Sequence, residues 1–329
     1  MTYPAVRLRR LRENPILRKM IEETSLSVHD LVMPIFVKEG LWRPVGIESM
    51  PGQYQLPVSH VSDQVKKIAG LGVPAVILFG IPSKKDVRAS AAHAVSGVIP
   101  KAVRAIKKSR THVLVMTDVC LCEYHSHGHC GHVSAKRILN DVSVKSIARV
   151  ALTHARAGAD LIAPSDMMDG RIGAVRRALD GANFQHLPIM SYAVKYASAF
   201  YAPFREAAEN APAFGDRGSY QMNAKNRREA FREAEEDVKE GADILLVKPA
   251  LSYLDIIRGI RDKFNVPVAA FSVSGEYAMI KAAAQKGWLD EEKIVLESHL
   301  AMKRAGATLL LTYWAMDLAR VLRKKRGSL

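Results

Sequence analysis

A closed barrel of eight parallel strands with intervening helices is the fold this sequence predicts, and three observations carry the prediction. Apolar, β-branched runs of strand length occur eight times, helical periodicity fills most of the intervals, and one helix-to-strand junction recurs three times. The runs are continuous rather than alternating, as in strands covered on both faces. Eight such strands make a (β/α)₈ TIM barrel of class α/β. A doubly wound open sheet is the alternative, and the absence of a GxGxxG after the first run weakens it.

The elements follow in order. Residues 1–30 read as an N-terminal arm, and residues 31–329 as one catalytic barrel, because no Pro/Gly/Ser-rich linker divides the chain. The strands are MPIFV (33–37), VPAVILFG (73–80), HVLVMTDVC (112–120), LIAPS (161–165), LPIMSYAVK (187–195), ILLVKPA (244–250), VPVAAFSVS (266–274) and TLLLTYWA (308–315). Helical spacing marks Val144 to Ala157, Arg227 to Glu240, Tyr253 to Lys263 and Glu291 to Arg304. The recurring junction is ARAGADLIAPS (155–165), KEGADILLVKPA (239–250) and KRAGATLLLTYWA (303–315), each a helix end, a glycine suited to a left-handed cap, then a buried strand. Between the fifth strand and its helix, Tyr196 to Lys225 is too long for a simple connection and reads as an active-site lid.

Composition excludes several classes. At 48% hydrophobic and 25% charged, with 15 prolines and 21 glycines in 329 residues, the chain is globular rather than disordered or fibrous. Three cysteines cannot make a disulfide framework, no run reaches membrane-spanning length, and the N-terminus lacks a signal-peptide core, so a cytoplasmic protein is expected. The net charge of +15 raises nucleic acid as a partner, but much of it sits at the two ends. Residues 1–19 hold six basic residues against Glu13, and five more follow Asp317 with no acid. A basic arm can pack on another subunit instead, and no nucleic-acid or membrane partner is expected.

The chemistry should stand at the C-terminal strand ends, where barrel enzymes place it. Asp118, Cys120 and Cys122 end the third strand, Ser165 and Asp166 the fourth, Lys195 the fifth, Lys248 the sixth, Ser274 the seventh and Tyr313 the eighth. All three cysteines fall in CLCEYHSHGHC as Cys120, Cys122 and Cys130. Three thiolates suit Zn²⁺ with one position left open, the arrangement of a catalytic ion. His125, His127, His129 or His132 could add a fourth ligand and close it. Two lysines at neighbouring strand ends repel, and burial adds to this, so one becomes a neutral amine able to form a Schiff base with a ketone or aldehyde. A phosphate-binding or structural role for the pair is the bland alternative. Arg205 and Arg217 in the lid suit a carboxylate substrate.

DVCLCEYHSHGHCG, APSDMMDGR, MSYAVKYASAFYAPFREA, FGDRGSYQM, VKPA, VSGEY and LTYWA, with the arm RLRRLRENPILRKM, resemble successive motifs of the porphobilinogen synthase (5-aminolevulinate dehydratase) family over nearly the whole chain. The resemblance implies a metal-dependent hydro-lyase that condenses two 5-aminolevulinate molecules to porphobilinogen in tetrapyrrole (haem) biosynthesis. It implies Schiff bases at Lys248 for the propionate-side substrate and Lys195 for the acetate-side one, with Asp118 and Ser165 near the first substrate's amino group. Arg205, Arg217 and Gln221 would hold the acetate-side carboxylate, and Ser274 and Tyr313 the propionate-side one. Cys120, Cys122 and Cys130 match the zinc-binding form, Glu233 matches an allosteric Mg²⁺ ligand, and the arm implies a homo-octamer. This chain departs from the pattern at MNAKN (222–226), which lacks a proline, and at His132, where an aliphatic residue is usual; His125 adds a further imidazole to the same loop. A class I aldolase would explain one lysine but neither the second nor the cysteines.

Overall fold

The computed structural model describes residues 2–327. Eight parallel strands form the barrel: β1 (Leu31–Lys38), β2 (Ala75–Ile81), β3 (Leu114–Val119), β4 (Leu161–Pro164), β5 (Met190–Lys195), β6 (Ile244–Lys248), β7 (Val268–Ser272) and β8 (Leu309–Thr312). Each pairs with its sequence neighbour and β8 returns to β1, while the β4–β5 seam is closed by a single bridge between Ile162 and Ile189. The strands are buried almost throughout, as their uninterrupted apolar runs require.

Helices α1 (Val58–Gly70), α2 (Val98–Lys108), α3 (Asn140–Ala157), α4 (Arg171–Asp180), α5 (Arg228–Lys239), α6 (Leu254–Lys263), α7 (Ser274–Gln285), α8 (Glu291–Ala305) and α9 (Ala315–Gly327) surround the barrel. The seventh strand stops at Ser272, two residues before the expected end, and Ser274 is the first residue of α7. Polar SVSGE favours a helix start once Glu276 reaches back to accept the Val273 N–H at 2.8 Å.

The recurring junction has one geometry. Gly158, Gly241 and Gly306 have φ of 100°, 104° and 114°, and the next residue donates to a carbonyl five back: Ala159 to His154, Ala242 to Asp237 and Ala307 to Met302. A side chain at these glycines would strain the backbone at the entry to β4, β6 and β8.

The arm carries two short helices, Arg10–Glu13 and Pro15–Met20, neither of which buries a residue. Leu8, Ile16 and Met20 are each about 70% or more exposed (73%, 68% and 77%), so the arm has apolar surface that its own barrel does not cover. Among the described residues no helix is long and apolar enough to cross a membrane.

Candidate active site

Lys195 and Lys248 end adjacent strands in register, so both side chains enter the same end of the barrel. Both are buried. Lys248 Nζ lies 4.3 Å from the Phe271 ring centre, 4.9 Å from Phe204 and 5.3 Å from both Tyr192 and Tyr201. Burial in this aromatic box, and then repulsion from Lys195, bring the Lys248 ammonium down to a pKa of about 7. Lys195 goes the other way. Burial disfavours its charge, but the nearby sulfurs, Cys130 first and then Cys120 and Cys122, outweigh that and hold its pKa above the usual lysine value. Its Nζ donates to the Ser165 carbonyl. One amine is thus poised to be neutral while its neighbour stays charged.

Asp118, at the end of β3, accepts from the Ser165 hydroxyl at 3.0 Å. Burial, then the nearby Glu123, raise its pKa to about 7, against the pull of both lysines. Its second oxygen is buried without a partner, as are the hydroxyls of Tyr192 and Tyr313, Nε of Arg205 and Arg217, and Nε2 of Gln221. Buried polar atoms are nearly always paired in folded proteins, so this set marks a site shaped for a polar ligand.

Cys120, Cys122 and Cys130 come together after β3, all buried and unpaired as disulfides, with their sulfurs within 4.8 Å of one another. Cys120 and Cys122 Sγ are 3.2 Å apart. Hydrogen bonds from the Cys120 and Cys122 thiols push the Cys130 thiol well below its usual range, with Arg217 and Lys195 adding to the effect. Burial pushes the other two well above it. None of the four loop histidines joins the sulfur group. His129 is turned away, to the Tyr220 hydroxyl at 3.2 Å and the Phe214 carbonyl at 3.0 Å.

The lid lies over this end of the barrel and is not wholly irregular, since Ala202–Ala207 is helical. Asn210 in the lid donates to Cys122 Sγ and to Glu123, each at 3.1 Å. Arg217 donates to the Asn210 and Gly128 carbonyls at 2.7 and 2.9 Å. Ser274 accepts the Phe204 N–H at 2.9 Å and donates to the Phe200 carbonyl at 3.3 Å, so its hydroxyl is engaged with the lid's root. Where a proline was missing from MNAKN, Asn223 makes the turn: its side chain accepts the Lys225 N–H at 3.0 Å and its carbonyl the Asn226 N–H at 2.9 Å. Arg205 is partly buried, and burial together with Arg217 disfavours its charge, a penalty an anionic ligand would relieve.

Glu233 sits elsewhere, on α5, lining a mainly acidic cavity of about 570 Å³ with Asp169, Glu229, Glu236, Asp237 and Glu240, where Arg171, ion-paired to Asp237 at 2.9 Å, and Arg232 supply positive charge. Burial, net of the Arg171 charge, raises its pKa.

The sequence profile of the family described as ALAD, delta-aminolevulinic acid dehydratase, matches residues 5–321. The chain belongs to the delta-aminolevulinic acid dehydratase family. It is 53% identical to the delta-aminolevulinic acid dehydratase of Halalkalibacterium halodurans over 97% of this chain and 98% of that one. The Methanothermobacter thermautotrophicus enzyme of the same name is also 53% identical, over 98% and 99%. A crystal structure of the Toxoplasma gondii enzyme in complex with the reaction product porphobilinogen superposes with a TM-score of 0.94 at 42% identity, covering 96% of this chain and 91% of that one. As a member of the delta-aminolevulinic acid dehydratase family the chain is an enzyme, a lyase with porphobilinogen synthase function.

Within this family framework the fold gathers the two lysines, three cysteines, Asp118, Ser165 and the unpartnered atoms of Arg205, Gln221 and Tyr313 around one end of the barrel. Sequence reasoning missed the aromatic box of Tyr192, Tyr201, Phe204 and Phe271, and the Asn210 link between lid and cysteines. Tyr192 and Phe271 were hidden among other apolar strand residues. Asn210 gave no signal, because its partner Cys122 is 88 residues away.

Proposed function

We propose that this chain condenses two molecules of 5-aminolevulinate to porphobilinogen, for tetrapyrrole (haem) biosynthesis, through Schiff bases on Lys248 and Lys195 and in the zinc-binding cysteine form. The observation that carries the reading is the in-register lysine pair in unlike surroundings, Lys248 among four aromatic rings and Lys195 near the cysteine sulfurs. The neutral Lys248 amine adds to the ketone carbon of one substrate, and water leaves as the imine forms. The charged Lys195 beside it can donate the proton that departing water needs, which leaves Lys195 neutral for a second substrate. Asp118, raised to about 7 and hydrogen-bonded to Ser165, can hold or accept a proton at the substrate amino group. Arg205, Arg217 and Gln221 suit one carboxylate and Tyr313 with Ser274 the other. The lid excludes water, which keeps each imine from hydrolysing.

Three buried sulfurs within 4.8 Å fit a soft or borderline ion, and a donor set of three fits an open position. Cys120, Cys122 and Cys130 would hold the zinc, which when bound supplies Lewis acidity. Asn210, donating to Cys122 Sγ, would orient that ligand from the lid. The acidic cavity around Glu233 supports an allosteric Mg²⁺ there. The uncovered apolar side chains of the arm support a homo-octamer in which arms lie on neighbouring barrels. Three unbridged thiols support a cytoplasmic, reducing location.

Borohydride added with 5-aminolevulinate tests the reading, because an imine is reduced irreversibly and a free lysine does not react. The adduct is expected on Lys248, and Lys248→Ala should abolish turnover. Adducts confined to other lysines, or normal turnover by Lys248→Ala, would overturn the assignment. A nucleic-acid function on the basic termini is the rival from another class; salt-dependent RNA or DNA binding without turnover of 5-aminolevulinate would favour it.

A further inference from the structure

We propose that His125 and His132 form a second transition-metal site, separate from the three cysteines, for a borderline divalent ion such as Zn²⁺, Co²⁺ or Ni²⁺. The two imidazoles that set this loop apart in the sequence meet in the fold: His125 Nε2 lies 3.3 Å from His132 Nδ1. Two imidazole nitrogens bound to one tetrahedral ion at about 2.0–2.1 Å are themselves about 3.3–3.4 Å apart. The gap is the bite of an ion.

The outer nitrogens decide which way the lone pairs point. His125 Nδ1 is 3.0 Å from the His129 carbonyl, which can only accept, so the proton is on Nδ1 and Nε2 presents a lone pair. His132 Nε2 is 2.8 Å from the Ser146 hydroxyl. When Nε2–H donates to that oxygen, His132 Nδ1 also presents a lone pair, facing the first. Two lone pairs at this distance repel unless they converge on a cation set off the line between the nitrogens, about 2.0–2.1 Å from each. An outer N–H fixed by an oxygen is also the support that orients metal-binding imidazoles. The competing arrangement moves the proton to His132 Nδ1 and makes a single hydrogen bond between the rings; metal and proton then compete for one position.

Imidazole nitrogen selects late first-row divalent ions over Mg²⁺ or Ca²⁺. His132 is only partly buried, which gives an ion a way in from solvent. His127, stacked on His125 at 4.3 Å between ring centres, has its Nε2 buried without a partner. It does not complete a tight three-ligand group, so water fills the remaining positions and the ion exchanges more readily than one held by three thiolates. The inference uses no cysteine and does not depend on the Schiff-base reading.

The test is a Co²⁺ titration of the full-length metal-free protein followed by absorbance. The first ion is expected to give the near-ultraviolet charge-transfer band of thiolate-bound cobalt, and a second to add only weak visible bands. His125→Gln and His132→Asn should each lose the second ion and keep the thiolate band. Saturation after a single ion overturns the proposal. So does a second ion that survives both histidine variants, in particular one lost instead in Glu233→Gln, which would assign it to the acidic cavity. Loss of the thiolate band in the folded histidine variants would make them part of the cysteine centre and overturn a separate site. Should the variants misfold, X-ray absorption of the unaltered protein at the zinc edge decides the matter. The second equivalent must add the multiple scattering of imidazole, and its absence overturns the proposal.

Discussion

Replacing Lys195 with Met removes the ammonium beside Lys248 while keeping a flexible side chain of similar length, so it isolates repulsion from burial. Burial first, and Lys195 second, bring Lys248 from 10.5 to about 7, a drop of about 3.5. At pH 7 about half of Lys248 is therefore free amine, against about one part in 2,500 at the ordinary value of about 10.4. Neighbouring strands lie about 4.8 Å apart. Charges about 5–7 Å apart at an effective dielectric of about 20 repel by about 2.4–3.3 kcal/mol, roughly 2 pK units. Burial is the larger cause, and Asp118, Cys122 and Glu123 pull the other way, so removing Lys195 relieves part of the drop and leaves the share due to burial. The Lys195→Met protein should then carry Lys248 at about 8–9. The assay is the initial rate of borohydride-trapped adduct on Lys248 across the pH range, read by intact mass, since turnover itself would need Lys195. The unaltered protein should rise through a midpoint near 7, and the variant through one an order of magnitude or more lower in proton concentration, to a lower plateau because Lys195 no longer supplies the proton for departing water. A midpoint left near 7 would refute the repulsion argument.

Metal binding should release about two protons, because Cys120 and Cys122 are held as thiols while Cys130 is already held as thiolate. Calorimetry in buffers of different ionisation enthalpy counts them, and a count near zero would contradict the shared-proton arrangement. Gly275→Ala places a methyl 2.5 Å from the Phe200 carbonyl oxygen and 2.7 Å from its Cα, so the lid's root must shift. We expect a cost of about 1–3 kcal/mol, faster proteolysis within the lid and a lower kcat/KM. Unchanged proteolysis and activity would show that the lid is not seated there. His154 is buried with neither ring nitrogen paired, and burial lowers its pKa from 6.5 to about 3. The unfolded chain therefore takes up a proton first as pH falls, and the stability due to neutral His154 is lost from about 6.5 downward. That loss amounts to about 2 kcal/mol by pH 5. Urea unfolding of His154→Leu should show a shallower fall between pH 7 and 5, and a parallel fall would refute the assignment.

The eight strands were legible because a strand buried on both faces must be apolar along its whole length, and the three glycine junctions because only glycine takes their φ cheaply. Strand ends were less so. Ser274 belongs to a helix, since the capping reach of Glu276 competes with strand pairing over the same residues. The cysteine group was legible because all three cysteines of the chain fall within eleven residues, the short ligand spacing of a metal-binding loop. Lysines at strand ends were legible as misfits in apolar runs.

What the sequence determined by itself was therefore the list of reactive groups and the barrel that carries them. The tertiary structure decided how those groups differ from one another. Lys195 and Lys248 are alike in sequence, each a lysine closing an apolar strand, yet one lies near the cysteine sulfurs and the other among four aromatic rings. Asn210 reaches Cys122, and His125 meets His132, only because the lid and loop fold back on the barrel. Periodicity and spacing report which face of an element is buried. Protonation depends on the charges and dielectric within a few ångströms, and those come from residues distant in the chain.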